Sequence, residues 1–372
     1  MKILALDLGQ SQTVACEYES STASARLRRV VTTPLAISDL LAAVNPDRVV
    51  VEIGSVTGWV CDLVEVEKIS LQVANTAAPA WRWSNTKRKT DRDDALRLAQ
   101  LSALNQLPQV HVPPRDVRQW RSFIRFRHHL VTRRTQIKNR IRALLVVQGQ
   151  PLAAGKSSWT AQSLAQLKDL TCPVEEVTLT ELWRAELGLE LEALEHVEQL
   201  ITRAEKKLDQ LAAASQSCQL LRTIPGVGPR LAEIAVAMID DPRRFRSGKQ
   251  VASYVGLTPR QYQSGDKDRQ GRISRMGNNL LRAMLVEIGW IGLRFNPWMR
   301  EIYERVRRGS PVRKKQAIVA VARRLIVRCW AMLREVPLGP AAGPRLRPAS
   351  HRQLKLDKRG EEERWRIRIH KA

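Results

Sequence analysis

The chain has 372 residues and a formal net charge of +25, from 62 Lys and Arg against 37 Asp and Glu. That length allows two or three domains with cores of their own, and so basic a balance points to nucleic acid or an anionic surface as partner. No apolar run approaches the ~20 residues that span a bilayer. The most hydrophobic late stretch, residues 317–327, is broken by Arg323 and Arg324. The membrane alternative is therefore set aside. The first residues run straight into a strand-like segment ending at Asp7, which predicts no leader peptide and a cytoplasmic, nucleoid-associated protein. Five scattered cysteines and six dispersed histidines match neither a zinc site nor a disulfide framework, and suit a reduced compartment.

In chain order, residues 2–8 (KILALDL), 13–19 and 26–32 read as strands, and 34–44 as a helix with apolar residues on one face. Residues 48–53 (RVVVEI) are nearly continuous in apolar character, as in a strand buried on both faces. A short helix from about residue 58 and a strand over 69–74 complete a mixed α/β sheet. A helix is expected from Ala95 to Ala103 or Leu104, then a Pro-punctuated link, then a long helix over 116–147. Residues 81–150 hold 16 Lys or Arg against 4 acids, and interleave Trp81, Trp83, Trp120, Phe123 and Phe126. So lopsided a run cannot be neutralised by i, i+4 pairs, and it predicts a surface that tracks phosphates. Its candidate contacts are Lys87, Arg88, Lys89, Arg121, Arg125, Arg133, Arg134 and Lys138.

Residues 149–170 read as loop, and 181–214 as a second long helix whose apolar spacing fits a coiled-coil seam. Its surroundings are acidic, with 10 acids against 4 bases over 172–212, so it is expected to pack on the basic helix or on a second subunit. Residues 221–336 read as a compact all-helical unit. Within it Pro225-Gly226-Val227-Gly228-Pro229 looks like the turn of a helix-hairpin-helix, with Gly226 and Gly228 freeing backbone N–H groups to meet phosphate. Helices are expected at about 280–292 and 313–333. From residue 337 the Pro-, Gly- and Arg-rich sequence reads as a disordered basic tail. The domains expected are thus 1–112, 113–215, 216–336 and the tail 337–372.

Asp7 ends the first strand, Glu52 lies near the end of RVVVEI, and Asp91 and Asp94 sit i, i+3 in KTDRDDA. Strand-end carboxylates in an α/β sheet fall where such folds place their sites, and the i, i+3 pair projects from one helix face. Four close carboxylates repel one another, and a hard divalent cation removes that repulsion; on a basic protein this points to Mg²⁺ (or Mn²⁺) and phosphodiester chemistry. Acids in a first turn are equally what a helix dipole favours, so Asp91, Asp93 and Asp94 admit that plainer reading.

ALDLG, VVVEIGS and KTDRDDA, followed by TIPGVGP, FRSGKQVASYVGLTP, QSG, GRISRMGNNLLR and KKQAIVAVARRL, resemble the DEDD-type insertion-sequence transposases over about residues 1–336. The resemblance implies a RuvC-like (RNase H-like) domain, coiled-coil helices and a transposase domain, with Asp7, Glu52, Asp91 and Asp94 as the catalytic acids. It also implies a nucleophilic serine at Ser264, in Gln263-Ser264-Gly265. The partners it implies are donor and target DNA, a structured noncoding guide (bridge) RNA, and further copies of the chain, as a dimer assembling to a tetramer with composite sites.

The residues themselves do not single out Ser264. A turn serine before glycine is common, and Ser274 lies in a similarly basic loop. No local histidine would activate either hydroxyl. Arg260, Lys267, Arg269, Arg272 and Arg275 are placed to offset charge on a phosphate. Two other readings stay open: a metal-dependent nuclease like a Holliday-junction resolvase, which needs only the acids, and a non-catalytic RNA-binding scaffold.

Overall fold

The computed structural model describes residues 1–75, 78, 90–153, 155–264 and 267–336. The predicted basic run at 87–89, Trp81, Trp83, Gly265 and the predicted tail lie outside the described residues. The chain forms two compact units, one over Met1–Arg118 and one from Gln119 onward.

The first unit is the predicted mixed sheet. Its strands β1 (Lys2–Leu8), β2 (Gln12–Glu19), β3 (Ser24–Val31), β4 (Arg48–Glu52) and β5 (Ser70–Ala74) lie in the order β3-β2-β1-β4-β5. The first three form an antiparallel meander, and β1, β4 and β5 are parallel, joined through α1 (Pro34–Val44) and α2 (Thr57–Val66). Thr33 caps α1 by accepting from the Ala36 N–H, and Pro34 opens its first turn.

Side-chain alternation divides the sheet cleanly. Leu4, Leu6, Val49 and Val51 face one way, into a core with Ile37, Leu41, Val60 and Val64. Ile3, Ala5 and Val50 face the other way, against Ala95, Leu98 and Ala99 of α3 (Asp91–Ala103). The edge strand β3 is largely exposed and carries Arg26, Arg28 and Arg29, charges that blunt an open edge.

The second unit is helical around a two-stranded ribbon. Helix α4 (Arg115–Val147) carries the chain into it and pairs with α6 (Leu182–Ala214). Leu130, Ile137, Ile141 and Leu145 of α4 meet Leu187, Leu191, Leu194, Val197 and Ile201 of α6. Ion pairs join Arg127 to Glu205, Lys138 to Glu198 at 3.1 Å, and Arg140 to Glu190 at 2.7 Å. Of the two alternatives for the acidic helix, the structure shows it on the basic one. Residues 149–170, expected as loop, contain α5 (Ala161–Asp169), capped by Thr160 and closing the end of this pair with Leu167.

The remaining helices are α7 (Gln216–Arg222), α8 (Pro229–Ile239), α9 (Gly248–Tyr254), α10 (Asn279–Phe295), α11 (Pro297–Arg307) and α12 (Lys314–Glu335). They share one core, to which Ile124, Leu208 and Ala212 of the long helices also contribute. The expectation of an all-helical unit needs correction. Residues 259–273 form an antiparallel hairpin, β6 (Pro259–Ser264) and β7 (Lys267–Ile273). Every residue of β6 is exposed, so no face is buried and no period-two apolar signal exists to announce the strand. Helix α11 also lies outside the two helices expected here, although Asn296 caps it and Pro297 opens it.

A buried acid records tension in this core. Glu233 of α8 is 2% exposed and lies 3.2 Å from Arg230, which also pairs with Asp209. Burial outweighs those contacts and pushes its carboxyl up to about 7. A raised acid stabilises the fold fully below its unfolded value near 4.5, and that contribution is lost as pH climbs through 7. Glu233→Gln is therefore expected to leave stability unchanged near pH 4 and to raise it at pH 8 by on the order of 2 kcal/mol. Thermal melts of the two proteins across that range check this. A loss of stability at pH 8 would show that the Arg230 pair dominates.

Candidate active site

The acids converge because of the sheet's alternation. Asp7 follows Ile3 and Ala5 on the α3 side of β1, and Glu52 follows Val50 on the same side of β4. The register pairs Leu6 with Val51, which sets Asp7 and Glu52 beside one another at the C-terminal ends of parallel strands. Gly9 makes the turn beyond Asp7: its N–H donates to the Gln12 carbonyl at 3.1 Å, and any Cβ there would collide with that carbonyl. Thr57, buried at the start of α2, holds the other loop. Its hydroxyl donates to the Glu52 carbonyl at 2.7 Å and accepts from the Gly54 N–H at 2.8 Å.

Helix α3 starts earlier than expected, at Asp91 rather than Ala95. Thr90 caps it by accepting from the Asp93 N–H at 3.3 Å, and its hydroxyl donates to the Asp93 carboxylate at 2.6 Å. The reciprocal cap holds Asp93 outside, exposed, while Asp94 is 7% exposed. The plain reading of acids at a helix start thus applies to Asp93. Asp91 and Asp94 act electrostatically on Asp7.

The Asp7 carboxyl is pushed up to about 7, by burial first and then by the charges of Glu52, Asp91 and Asp94; Glu52 also hydrogen-bonds it. Burial and mutual repulsion thus favour the protonated form of Asp7 more than in a free carboxyl. Among the described residues, no three Asp, Glu, His or Cys side chains are arranged to hold an ion as they stand. The donor set is nonetheless all carboxylate oxygen, the chemistry that hard divalent cations take.

Ser264 sits at the tip of the β6–β7 hairpin, exposed, with Lys267 opposite it across the turn. Ser274 lies at the foot, its N–H donating to the Thr258 carbonyl at 2.8 Å. The foot is clamped: Gly256 lies against Met276, Gly277 lies against Tyr254, and Arg282 donates to the Val255 carbonyl at 2.8 Å. Arg260, Arg269, Arg272 and Arg275 are all exposed along the hairpin and its exit.

The other expected nucleic-acid contacts divide. Arg125 and Arg133 are exposed and Arg134 half-buried on α4, whereas Lys138 pairs with Glu198 and lies over the Trp159 ring. Arg121 donates inward to the Ala237 carbonyl at 2.6 Å and the Met238 carbonyl at 3.1 Å, closing the C-terminus of α8 together with Arg244. Gly226, at φ +92°, lies against the backbone of Gly292, where a Cβ would come within 3.3 Å. That position serves close packing of the turn on α10. Gly228 precedes α8, and a Cβ there would meet no atom within 4 Å.

Two family models match. One, described as a DEDD transposase of the IS110 type, covers residues 4–148; the other, the transposase IS116/IS110/IS902 family, covers residues 218–304. The transposase for insertion sequence element IS1111A of Coxiella burnetii is 29% identical over 253 residues, 66% of each chain. The y4rJ protein of Sinorhizobium fredii, classed with transposases, is 29% identical over 310 residues, 77% of this chain and 76% of its own. The pilin gene-inverting protein of Moraxella lacunata is 30% identical over 153 residues, 38% of this chain and 46% of its own. A solved structure of Thermus thermophilus RuvC with a Holliday junction substrate aligns over 30% of this chain at 14% identity and a TM-score of 0.22, too remote to bear on function.

Metal-free protein offers a direct check on the acid cluster. Asp7, being raised, stabilises the fold below about pH 4 and ceases to do so as pH passes 7. Without divalent ions, Asp7→Asn should be the more stable protein at pH 8, by roughly 1 kcal/mol after solvent screening. Mg²⁺ should raise the melting temperature of the wild type, more at pH 8 than at pH 6, and should do so much less in the variant. An equal Mg²⁺ response in both would remove Asp7 from the ion's site.

Proposed function

We propose, for a chain that belongs to the IS116/IS110/IS902 family of DEDD-type transposases, that it cuts and rejoins DNA through a covalent phosphoserine at Ser264, with its four acids positioning the scissile phosphate. The observation that carries this reading is the convergence of Asp7, Glu52, Asp91 and Asp94 on one side of the sheet's end, with the Asp7 carboxyl pushed up to about 7 by burial and by the charges of the other three.

Bound there, Mg²⁺ (or Mn²⁺) would neutralise the acids and polarise a phosphate oxygen. The chain's own groups then have separable roles. Glu52, Asp91 and Asp94 would hold the ion together with Asp7, and the four carboxylates would fix where the scissile phosphate sits. Ser264 Oγ attacks phosphorus; the P–O3′ bond breaks, and the proton lost by the serine ends on the departing 3′-oxygen. Attack of another strand's 3′-hydroxyl on the phosphoserine restores the serine and joins the strands. Because each step exchanges one phosphate ester for another, no external energy source is required. Arg260, Lys267, Arg269, Arg272 and Arg275 offset the charge that develops on phosphate.

The hairpin's exposure supports this role for Ser264 over Ser274. A nucleophile that must reach DNA belongs at an accessible tip, and Ser274 sits at the clamped foot. The family resemblance adds a structured guide RNA that pairs with donor and target, leaving the protein to hold both by backbone and shape. It also adds assembly into a homo-oligomer in which acids and serine are brought to one phosphate. The net charge of +25 supports such a nucleic-acid load.

Ser264→Ala and Asp7→Asn should each lower strand exchange between element ends and target by roughly 10³-fold or more, whereas Ser274→Ala should remain near wild type. Cleavage that survives in Ser264→Ala at wild-type rate would replace this reading with a metal-dependent nuclease. Sequencing the RNA that copurifies with the protein should return one structured species complementary to the element's flanks. Heterogeneous cellular RNA would remove the guide from the account.

A further inference from the structure

The second unit holds a basic pocket on a different set of elements from the serine hairpin. Its volume is about 920 Å³, and it is lined from α9, α11 and α12. Ile302 and Val306 of α11 with Ala320 and Val327 of α12 make an apolar floor. Arg305, Arg323, Arg324 and Lys249 surround it, and no acid is among its lining residues. On α11 the apolar–cationic order is i, i+3, i+4, and on α12 it is i, i+3, i+4, i+7, so each helix turns one such stripe into the pocket.

Gly248 closes the third side, where a Cβ would come within 2.7 Å of Val327; the wall can approach this closely only with glycine there. Arg305 is partnered by Glu301 at 3.0 Å, whereas no carboxylate is paired with Lys249, Arg323 or Arg324 among the described residues. The Ser247 hydroxyl, at the start of α9, makes no capping bond to that helix.

We infer that this pocket receives an unpaired nucleotide of a single strand, its base on the Ile302–Val306–Ala320–Val327 floor and its flanking phosphates on Lys249, Arg323 and Arg324. An apolar floor alone would suit many ligands. Three cations without carboxylate partners around it select a ligand with a flat apolar face and repeated negative charge. Base faces bind without sequence preference, and arginine planes stack on them. A duplex hides its bases and cannot fill the floor, so the site distinguishes unpaired from paired nucleic acid. The site rests on the functional reading above only for the class of partner. It is read out by binding, without cleavage, so either can fail alone.

The test compares fluorescence anisotropy of a labelled oligothymidylate with that of an abasic oligomer of the same length and charge, in deoxyribose and ribose forms, on the full chain. Wild type should bind the base-bearing oligomer several-fold more tightly. Ala320→Trp fills the floor without changing charge and should erase that difference while leaving the abasic affinity intact. The form showing the larger difference identifies the strand as DNA or RNA. Arg324→Glu, at an exposed position that folding tolerates, should weaken both oligomers and lower the slope of log affinity against log salt by about 1. A base preference that survives Ala320→Trp, or a salt slope untouched by Arg324→Glu, would overturn the inference. Binding to phosphatidylglycerol vesicles that Ala320→Trp abolishes, with base preference intact, would reassign the pocket to lipid.

Discussion

Mutual repulsion of four carboxylates is the constraint around which the first unit is arranged. A sheet whose alternation turns Asp7 and Glu52 to one side, and a helix that begins with Asp91 and Asp94 there, concentrate negative charge on a protein that is otherwise strongly basic. Protonation relieves such a cluster in an isolated protein, and burial together with the neighbouring charges pushes the Asp7 carboxyl up to about 7. Local contacts fix the segments that carry the acids: the Gly9 turn, the Thr57 hydroxyl on the Glu52 carbonyl, and the Thr90–Asp93 cap at the start of α3. What would discharge the cluster functionally is a divalent cation with a phosphate ester, the two species such a donor set accepts together.

The serine hairpin is built by the opposite logic. Nothing on β6 is buried, so its position depends on the clamp at its foot, where Gly256, Gly277 and Arg282 join the ribbon to the helical core. A clamped foot under an exposed tip suits the nucleophile proposed above, whose partner groups would belong to DNA. The long α4–α6 pair supplies the rigid stem of the same unit, apolar within and crosslinked by charge along its sides.

Much of this was legible in the sequence, for identifiable reasons. The sheet strands are two-sided or alternating, and that patterning puts Asp7 and Glu52 at strand ends. The start of α3 was misjudged because its first turn is charged, so the apolar pattern begins a turn after the helix does. β6 left no trace because a strand without a buried face has no alternation to read. Arg121 resembles every other arginine of α4 in one dimension; only tertiary packing reveals that it closes α8 rather than facing outward. Ser264 had no chemical signature of its own, since the groups that would activate it are not its sequence neighbours.

The central claim is that Ser264 becomes covalently bonded to DNA under the control of the acid cluster. Peptide mapping by mass spectrometry tests it most directly, using protein co-expressed with its element, incubated with element-end DNA and Mg²⁺ and then denatured. The account predicts a nucleotide adduct on the peptide containing Ser264, absent from Asp7→Asn. Cleaved DNA with free 5′-phosphate ends and no protein adduct, or an adduct mapped to Ser274, would contradict it.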